Sequence, residues 1–297
     1  MFTAILAPML LWTPLASSTA PGADDPDGLF ARENLVAWCI VPFDASKRGP
    51  EERAAMLDRL GIRRLAYDWR AEHLPTFDEE LEALDRHSIE LTALWFPGTM
   101  DADARFLLDR IAARGLTPQL WVTGGGEPTS SPEEQAARIA AEADRIRPIA
   151  EAAAKVGCSV ALYNHGGWFG EPENQIAVIE ALNLPNVGLV YNLHHGHPHL
   201  DRFPELLEAM RPHLLALNLN GMDRDGEAKG RKILVIGQGE EDLLLLRTIR
   251  ESGWTGPVGI LDHVPEADAE AQLRANLEGL DHLLDHLDRE VGTPGPR

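Results

Sequence analysis

Histidine and asparagine recur where the apolar runs of this chain end. The run Cys158 to Leu162 passes into Tyr163-Asn164-His165-Gly166-Gly167, with Trp168 and Glu171 just beyond. Val187 to Tyr191 passes into Asn192-Leu193-His194-His195. His213 to Leu217 leads to Asn218-Leu219-Asn220-Gly221, and Val258 to Leu261 leads to Asp262-His263. A continuous apolar run reads as a strand covered on both faces. The C-terminal ends of such strands are where α/β proteins hold their ligands. Imidazole changes charge near neutral pH, so His165, His195 and His263 are the candidate acid/base residues. Three converging imidazoles could also hold zinc or another divalent transition metal. His194, His197 and His199 flank Pro198, and at least two of the three are expected to face solvent.

Amides carry donors and an acceptor together, which suits hydroxyl groups. Asn164, Asn192, Asn218 and Asn220 all fall at strand ends. Asp68, Trp69 and Arg70 end an earlier run, and Trp95 and Trp121 belong to the next two. Indole faces pack on the C–H faces of sugars. With Tyr163, His194, Glu171 and Asp262 these residues form a candidate cup for a polyhydroxylated ligand. Two plainer readings compete. A tryptophan also packs well between a barrel and its helices, and a strand-end asparagine often serves nearby backbone.

The elements that position these residues alternate along the chain. Strands are expected at Leu35 to Phe43, Ile62 to Trp69, Ile89 to Phe96, Pro118 to Val122, Cys158 to Tyr163, Val187 to Asn192, Leu214 to Asn218 and Val258 to Leu261. Amphipathic helices follow each, at Glu51 to Leu60, Phe77 to Arg86, Ala102 to Arg114, Pro132 to Val156, Glu173 to Leu182, Pro204 to Met210, Glu240 to Glu251 and Ala267 to Leu287. Thr76 and Ser131 stand at N-cap positions, and Gly61, Gly115 and Gly157 at helix stops. Pro148 is expected to kink or split the long fourth helix. The pattern predicts a single (β/α)8 TIM barrel, with a parallel sheet, over residues 34–291. A doubly wound sheet would more often carry a glycine-rich phosphate loop after its first strand. Val41-Pro42-Phe43-Asp44 stands there instead.

The chain of 297 residues carries a formal net charge of -20, which argues against nucleic acid as a partner. Its two cysteines, Cys39 and Cys158, lie in apolar runs and read as buried free thiols. Residues 1–20 combine an apolar stretch with small residues suited to cleavage, so they are expected to be a signal peptide. On that reading the protein is exported, periplasmic or secreted, with no integral membrane span in the mature chain. A misassigned start would make it cytoplasmic. Residues 21–33 are expected to form a flexible leader and 292–297 a disordered tail. Gly237-Gln238-Gly239 precedes a helix, but Glu240, Glu241 and Asp242 follow at once. Negative charge there opposes phosphate and favours a neutral sugar.

From about Asn34 to Leu284 the chain resembles the xylose isomerase-like TIM-barrel superfamily, the sugar phosphate isomerase/epimerase and endonuclease IV-like group. The resemblance rests on Tyr163-Asn164-His165-Gly166-Gly167, Asn192-Leu193-His194-His195 and Asn218-Leu219-Asn220. It implies sites of the form Glu-Asn-His-Gly, Asp-x-x-His and His-x-Lys-Asp, with a Glu ending the eighth strand. In that family a Glu, Asp, His and Glu hold a divalent metal, and the two Glu move protons through an enediolate. Here Tyr163 replaces the first Glu, Asn192 the Asp and Asn218 the His. The eighth strand offers Leu261 or His263. Only His165 and His195 match outright. Neutral amides and a phenol are poor ligands for Mg²⁺ or Mn²⁺. If a metal is held, His165, His195 and His263 are the ligands this sequence offers.

Three functions remain open. One is a carbohydrate isomerase or epimerase that takes a proton from beside a carbonyl, with Asn192, Asn218 and Asn220 holding the enediolate oxygen. The second is a lyase or hydrolase of keto-glycosides. The third is a catalytically silent sugar-binding barrel. A three-zinc endonuclease is disfavoured by the acidic charge and the missing ligands. The expected partner in each open case is a small-molecule carbohydrate.

Overall fold

The structure, a computed structural model, describes residues 28–291. The expected signal peptide, most of the leader and the expected tail lie outside the described residues. Where the leader was expected to continue, Leu29 and Phe30 are 4% exposed and pack in the core. A 3-10 turn, Arg32–Asn34, then delivers the first strand. Asn34 anchors that turn by donating to the carbonyls of Leu29 and Gly256.

Eight strands form one closed barrel in chain order. They are β1 Leu35–Trp38, β2 Arg64–Tyr67, β3 Glu90–Phe96, β4 Gln119–Val122, β5 Ser159–Tyr163, β6 Val187–Asn192, β7 Leu214–Leu219 and β8 Val258–Leu261. Every neighbouring pair is parallel, and β8 returns to pair with β1. The expected (β/α)8 barrel is the observed fold. Its helices are α1 Pro50–Leu60, α2 Phe77–Arg86, α3 Ala102–Ala113, α4 Pro132–Lys155, α5 Gly167–Gly170, α6 Pro172–Leu182, α7 Phe203–Met210, α8 Asp242–Glu251 and α9 Ala269–Val291. The four-residue α5 is an extra turn within the β5–α6 connection. Among the described residues no helix is long and apolar enough to cross a membrane.

Alternation along the strands divides the core in two. One set, Val36, Trp38, Ala66, Ala93, Trp121, Ala161, Tyr163, Val190, Ala216 and Leu261, fills the barrel. The alanines leave room for the large rings. Trp38 meets Trp121 edge-on with centroids 4.7 Å apart. The other set, including Leu65, Leu94, Leu120, Leu162, Leu189, Leu217 and Ile260, faces the helices.

Some local expectations change. β1 ends at Trp38 and not at Phe43, because Cys39 takes φ 60°, which no strand continues. Ser131 caps α4 by accepting from the Glu134 N–H. Thr76 does not cap α2, because its hydroxyl donates to the His73 carbonyl instead. Pro148 does not split α4, which runs continuously from Pro132 to Lys155.

Candidate functional site

A cavity of about 60 Å³ opens at the C-terminal strand ends. It is lined by Trp38 and Cys39 of the first strand end, Asp68 and Arg70 of the second, and Trp95 of the third. Tyr163 and His165, His195, and His263 complete it from the fifth, sixth and eighth strand ends. A water fills about 10–15 Å³ by the same measure, so the space admits the reacting end of a sugar, with the remainder in the open mouth. Trp38 and Trp95 supply a flat apolar wall, their rings 6.0 Å apart.

The imidazoles form a chain. His165 and His195 lie with ring centroids 4.7 Å apart, His195 and His194 4.3 Å apart, and His194 and His263 5.2 Å apart with their rings near parallel at 11°. All four are held below the ordinary histidine pKa. Burial is the first cause in each case. For His194, pushed down to about 2, the His195 and His263 rings add repulsion. For His195, pushed down to about 3, His165 and Lys232 add to it. His165 and His263 are lowered in the same direction, with Lys232 again contributing. These rings are therefore neutral at neutral pH and carry free lone pairs.

Tyr163 and Asn192 form the floor of the site. The backbone N–H of His194 donates to Asn192 Oδ1, which turns the amide so that its Nδ2 donates to the Tyr163 hydroxyl. Trp38 Nε1 donates to the same hydroxyl at 3.3 Å. The phenol oxygen thus accepts from two donors and keeps its own proton to give. Burial raises the Tyr163 pKa, so that proton stays on.

Other expected cup residues have different partners. Asn164 donates to the Asn192 carbonyl and accepts from the Asn192 N–H, so it joins β5 to β6. Trp121 is 1% exposed inside the barrel, where its Nε1 donates to Gln119. Trp69 donates to the Trp95 carbonyl and packs outside the barrel. Glu171 pairs with His199 and Arg202 away from the cavity. Asn220 donates to the Gly221 carbonyl. Asn218 is fully buried beside Gly259, and both its amide atoms lack a hydrogen-bond partner. Asp262 is 1% exposed and is not among the cavity residues; burial, with Asp44 and Asp68 nearby, pushes it up to about 8.

The histidines near Pro198 correct the sequence reading. His194 and His199 are buried, and His197 is half-buried. The Tyr191 hydroxyl holds His199, and the carbonyls of Asp223 and Lys232 hold His197. Two cavity residues, Trp38 and Cys39, were not expected there. Cys39 is a buried free thiol as expected, but it lies at the cavity wall. Lys232 was also missed. It sits close enough to act on all four imidazoles while pairing with Glu227 at 2.8 Å. One of two lysines in a long loop, with Lys229 three residues earlier, gives no local signal of that position.

The site does not fit the divalent metal that the resemblance implies. Tyr163 and Asn192 stand at two ligand positions and are bonded to each other. Among the described residues no three His, Cys, Asp or Glu side chains are grouped to hold a metal ion. His263 stacks on His194. Hard cations want carboxylate oxygens, and the substituted positions offer none.

The sequence matches the family described as xylose isomerase-like TIM barrel over residues 47–286. The chain belongs to that family. Solved structures of the same fold include 3-keto-D-glucoside 4-epimerase, YcjR, from E. coli, with 16% identity, TM-score 0.60, and coverage of 85% of this chain and 99% of that one. The IOLI protein with a zinc atom is 17% identical, with TM-score 0.65 over 85% of this chain and 98% of that one. A D-tagatose 3-epimerase-like protein is 15% identical, with TM-score 0.63 over 87% of this chain and 100% of that one. At such identities the likeness is one of fold. No curated protein matches the sequence. A larger cavity, about 720 Å³, lies against Arg48, Arg53, Tyr67, His73 and Glu80. No residue of the imidazole chain lines it.

Proposed function

We propose that this cup isomerises or epimerises a neutral sugar or keto-sugar by removing a proton from the carbon beside its carbonyl. The observation that carries this reading is the neutral imidazole pair, His165 and His195, facing a phenol whose only free hydrogen-bonding direction is donation. His165 is the preferred base, because less repulsion surrounds it than surrounds His195. The C–H electron pair moves into a C=C bond, and the carbonyl pair moves to oxygen. Negative charge developing beside the ring raises its proton affinity as the step proceeds. The Tyr163 hydroxyl, with the Arg70 guanidinium at the same cavity, holds the enediolate oxygen. Asn192 serves by orienting Tyr163, a change from the direct role the sequence suggested. Trp38 and Trp95 take the C–H face of the ring. Membership in a family whose solved neighbours include sugar epimerases supports the substrate class.

Elimination from a keto-glycoside begins with the same proton transfer and is the second reading. The test incubates wild type and His165→Ala with D-fructose, D-tagatose and methyl 3-keto-glucoside, and identifies the products by NMR. A new epimer or isomer, reduced about 10²-fold or more in the variant, is the expected result. Release of methanol would move the assignment to the lyase. No product from any probe would leave the sugar-binding barrel as the better account. We further propose that residues 1–20 are removed on export, which N-terminal sequencing of the secreted or periplasmic protein would check.

A further inference from the structure

In a closed barrel of eight strands, β1 and β2 lie diametrically across from β5 and β6. The imidazoles of His165 and His195 follow β5 and β6. Across from them, after β1 and β2, stand Cys39 and Asp68, and all four residues line one cavity. The cup therefore has proton-carrying groups on two opposite walls.

Asp68 is built to hold a fixed place. Its Oδ1 accepts from the Val41 N–H at 3.2 Å. Its own carbonyl accepts from Arg70 Nη1 at 2.7 Å. The residue is 1% exposed, its Oδ2 is buried with no hydrogen-bond partner in the strict geometric sense, and the Cys39 thiol lies beside the carboxyl group. An orphaned buried carboxyl oxygen at a cavity wall calls for an explanation in terms of a ligand or a proton. We propose that Asp68, in its acid form, returns a proton to the face of the substrate carbon opposite the imidazoles, so that the site inverts that carbon. The idea rests on the enediolate reading above. The imidazole nitrogen takes the proton from one face, the enediolate forms, and the Asp68 hydroxyl gives its proton to the other face as the carbonyl re-forms. The carboxylate and the imidazolium then reset by exchange with water. Burial supports the acid form, pushing Asp68 up to about 7 against the pull of Arg70. The groups that bear on it are Arg70, Arg53, Cys39, Tyr163, Tyr67 and Asp262. The Cys39 thiol, also kept protonated by burial, is the other proton carrier on this wall.

The experiment follows deuterium uptake and stereochemical inversion together, in D₂O, with the same three probes. It compares wild type, Asp68→Asn, Asp68→Glu and Cys39→Ser, each checked by thermal melting. The expected result is that Asp68→Asn still takes up deuterium but inverts about 10²-fold more slowly, while Asp68→Glu recovers part of the inversion. Inversion in Asp68→Asn at the wild-type ratio to uptake would overturn the proposal. So would joint loss of uptake and inversion in a folded variant, or loss of inversion in Cys39→Ser alone. If Asp68→Asn does not fold, Asp68→Glu decides: an inversion-to-uptake ratio below wild type supports the proposal, and an unchanged ratio overturns it. Wild type that exchanges without inverting sinks the Asp68 role and leaves the enediolate reading standing. Wild type with no exchange sinks both.

Discussion

A phenol oxygen that accepts from both Trp38 and Asn192 has only its own proton left to offer. That changes the meaning of Tyr163. At the position where the resemblance implies a metal-binding carboxylate, the chain carries a neutral donor suited to a developing oxyanion. Tyr163→Phe keeps the ring packing against Trp38, Trp95 and Trp121 and removes the donor. It should cost about 10²–10³ in kcat with little change in KM, as loss of one oxyanion-hole donor does. Steady-state kinetics on whichever probe turns over would check this, and an equal kcat would remove Tyr163 from the chemistry. His165 and His195 stood out in the sequence because each follows the end of an apolar run within four residues, and both line the cavity. The roles of the asparagines were not readable. Whether an amide serves ligand or backbone depends on what lies across the sheet, and Asn164 and Asn192 face each other across β5 and β6.

The elements were legible wherever one pattern decided them. Buried strands are apolar runs, and helices carry caps and stops, so the (β/α)8 order could be read directly. Tertiary contacts decided the remainder. The charge of Lys232 bears on the imidazoles from the β7–α8 connection, where its backbone carbonyl is held by His197 and Asn220 and the connection is pinned at further points. The Asp242 carboxylate accepts from the N–H groups of Met222, Gly237 and Gly239, and Asn276 of α9 accepts from the Ile236 N–H. The sequence marks Asp242 only as acidic charge at a helix start. Between α1 and α2 a buried Arg53–Glu80 pair joins the two helices. Arg53 and Glu80 are 3% and 0% exposed. Glu80→Ala would strand the guanidinium charge, and about 3–5 kcal/mol of stability should be lost. Urea denaturation of the purified variant measures that directly, and a loss under about 1 kcal/mol would mean that water reaches the pair.

At the scale of the whole molecule, the barrel brings residues from six strand ends together that are far apart in the chain. Closure of β8 onto β1 places His263 beside Phe43, with ring centroids 3.8 Å apart, and stacks it on His194. The same closure sets the imidazole wall across from Asp68. The central claim is that neutral imidazoles in this cup remove a carbon-bound proton, and deuterium wash-in tests it most directly. Wild type and His165→Ala would be followed by NMR in D₂O with D-fructose, D-tagatose and methyl 3-keto-glucoside, near neutrality and at about one pH unit below the ordinary histidine pKa. Burial and neighbouring charge lower the His165 and His195 pKa values, so more of the base form remains as pH falls than for an ordinary histidine. The account predicts deuterium at the carbon beside the carbonyl, slowed less at the lower pH than an ordinary histidine base would be, and slowed about 10²-fold or more by His165→Ala. No wash-in with any probe, or wash-in that His165→Ala leaves untouched, would contradict it.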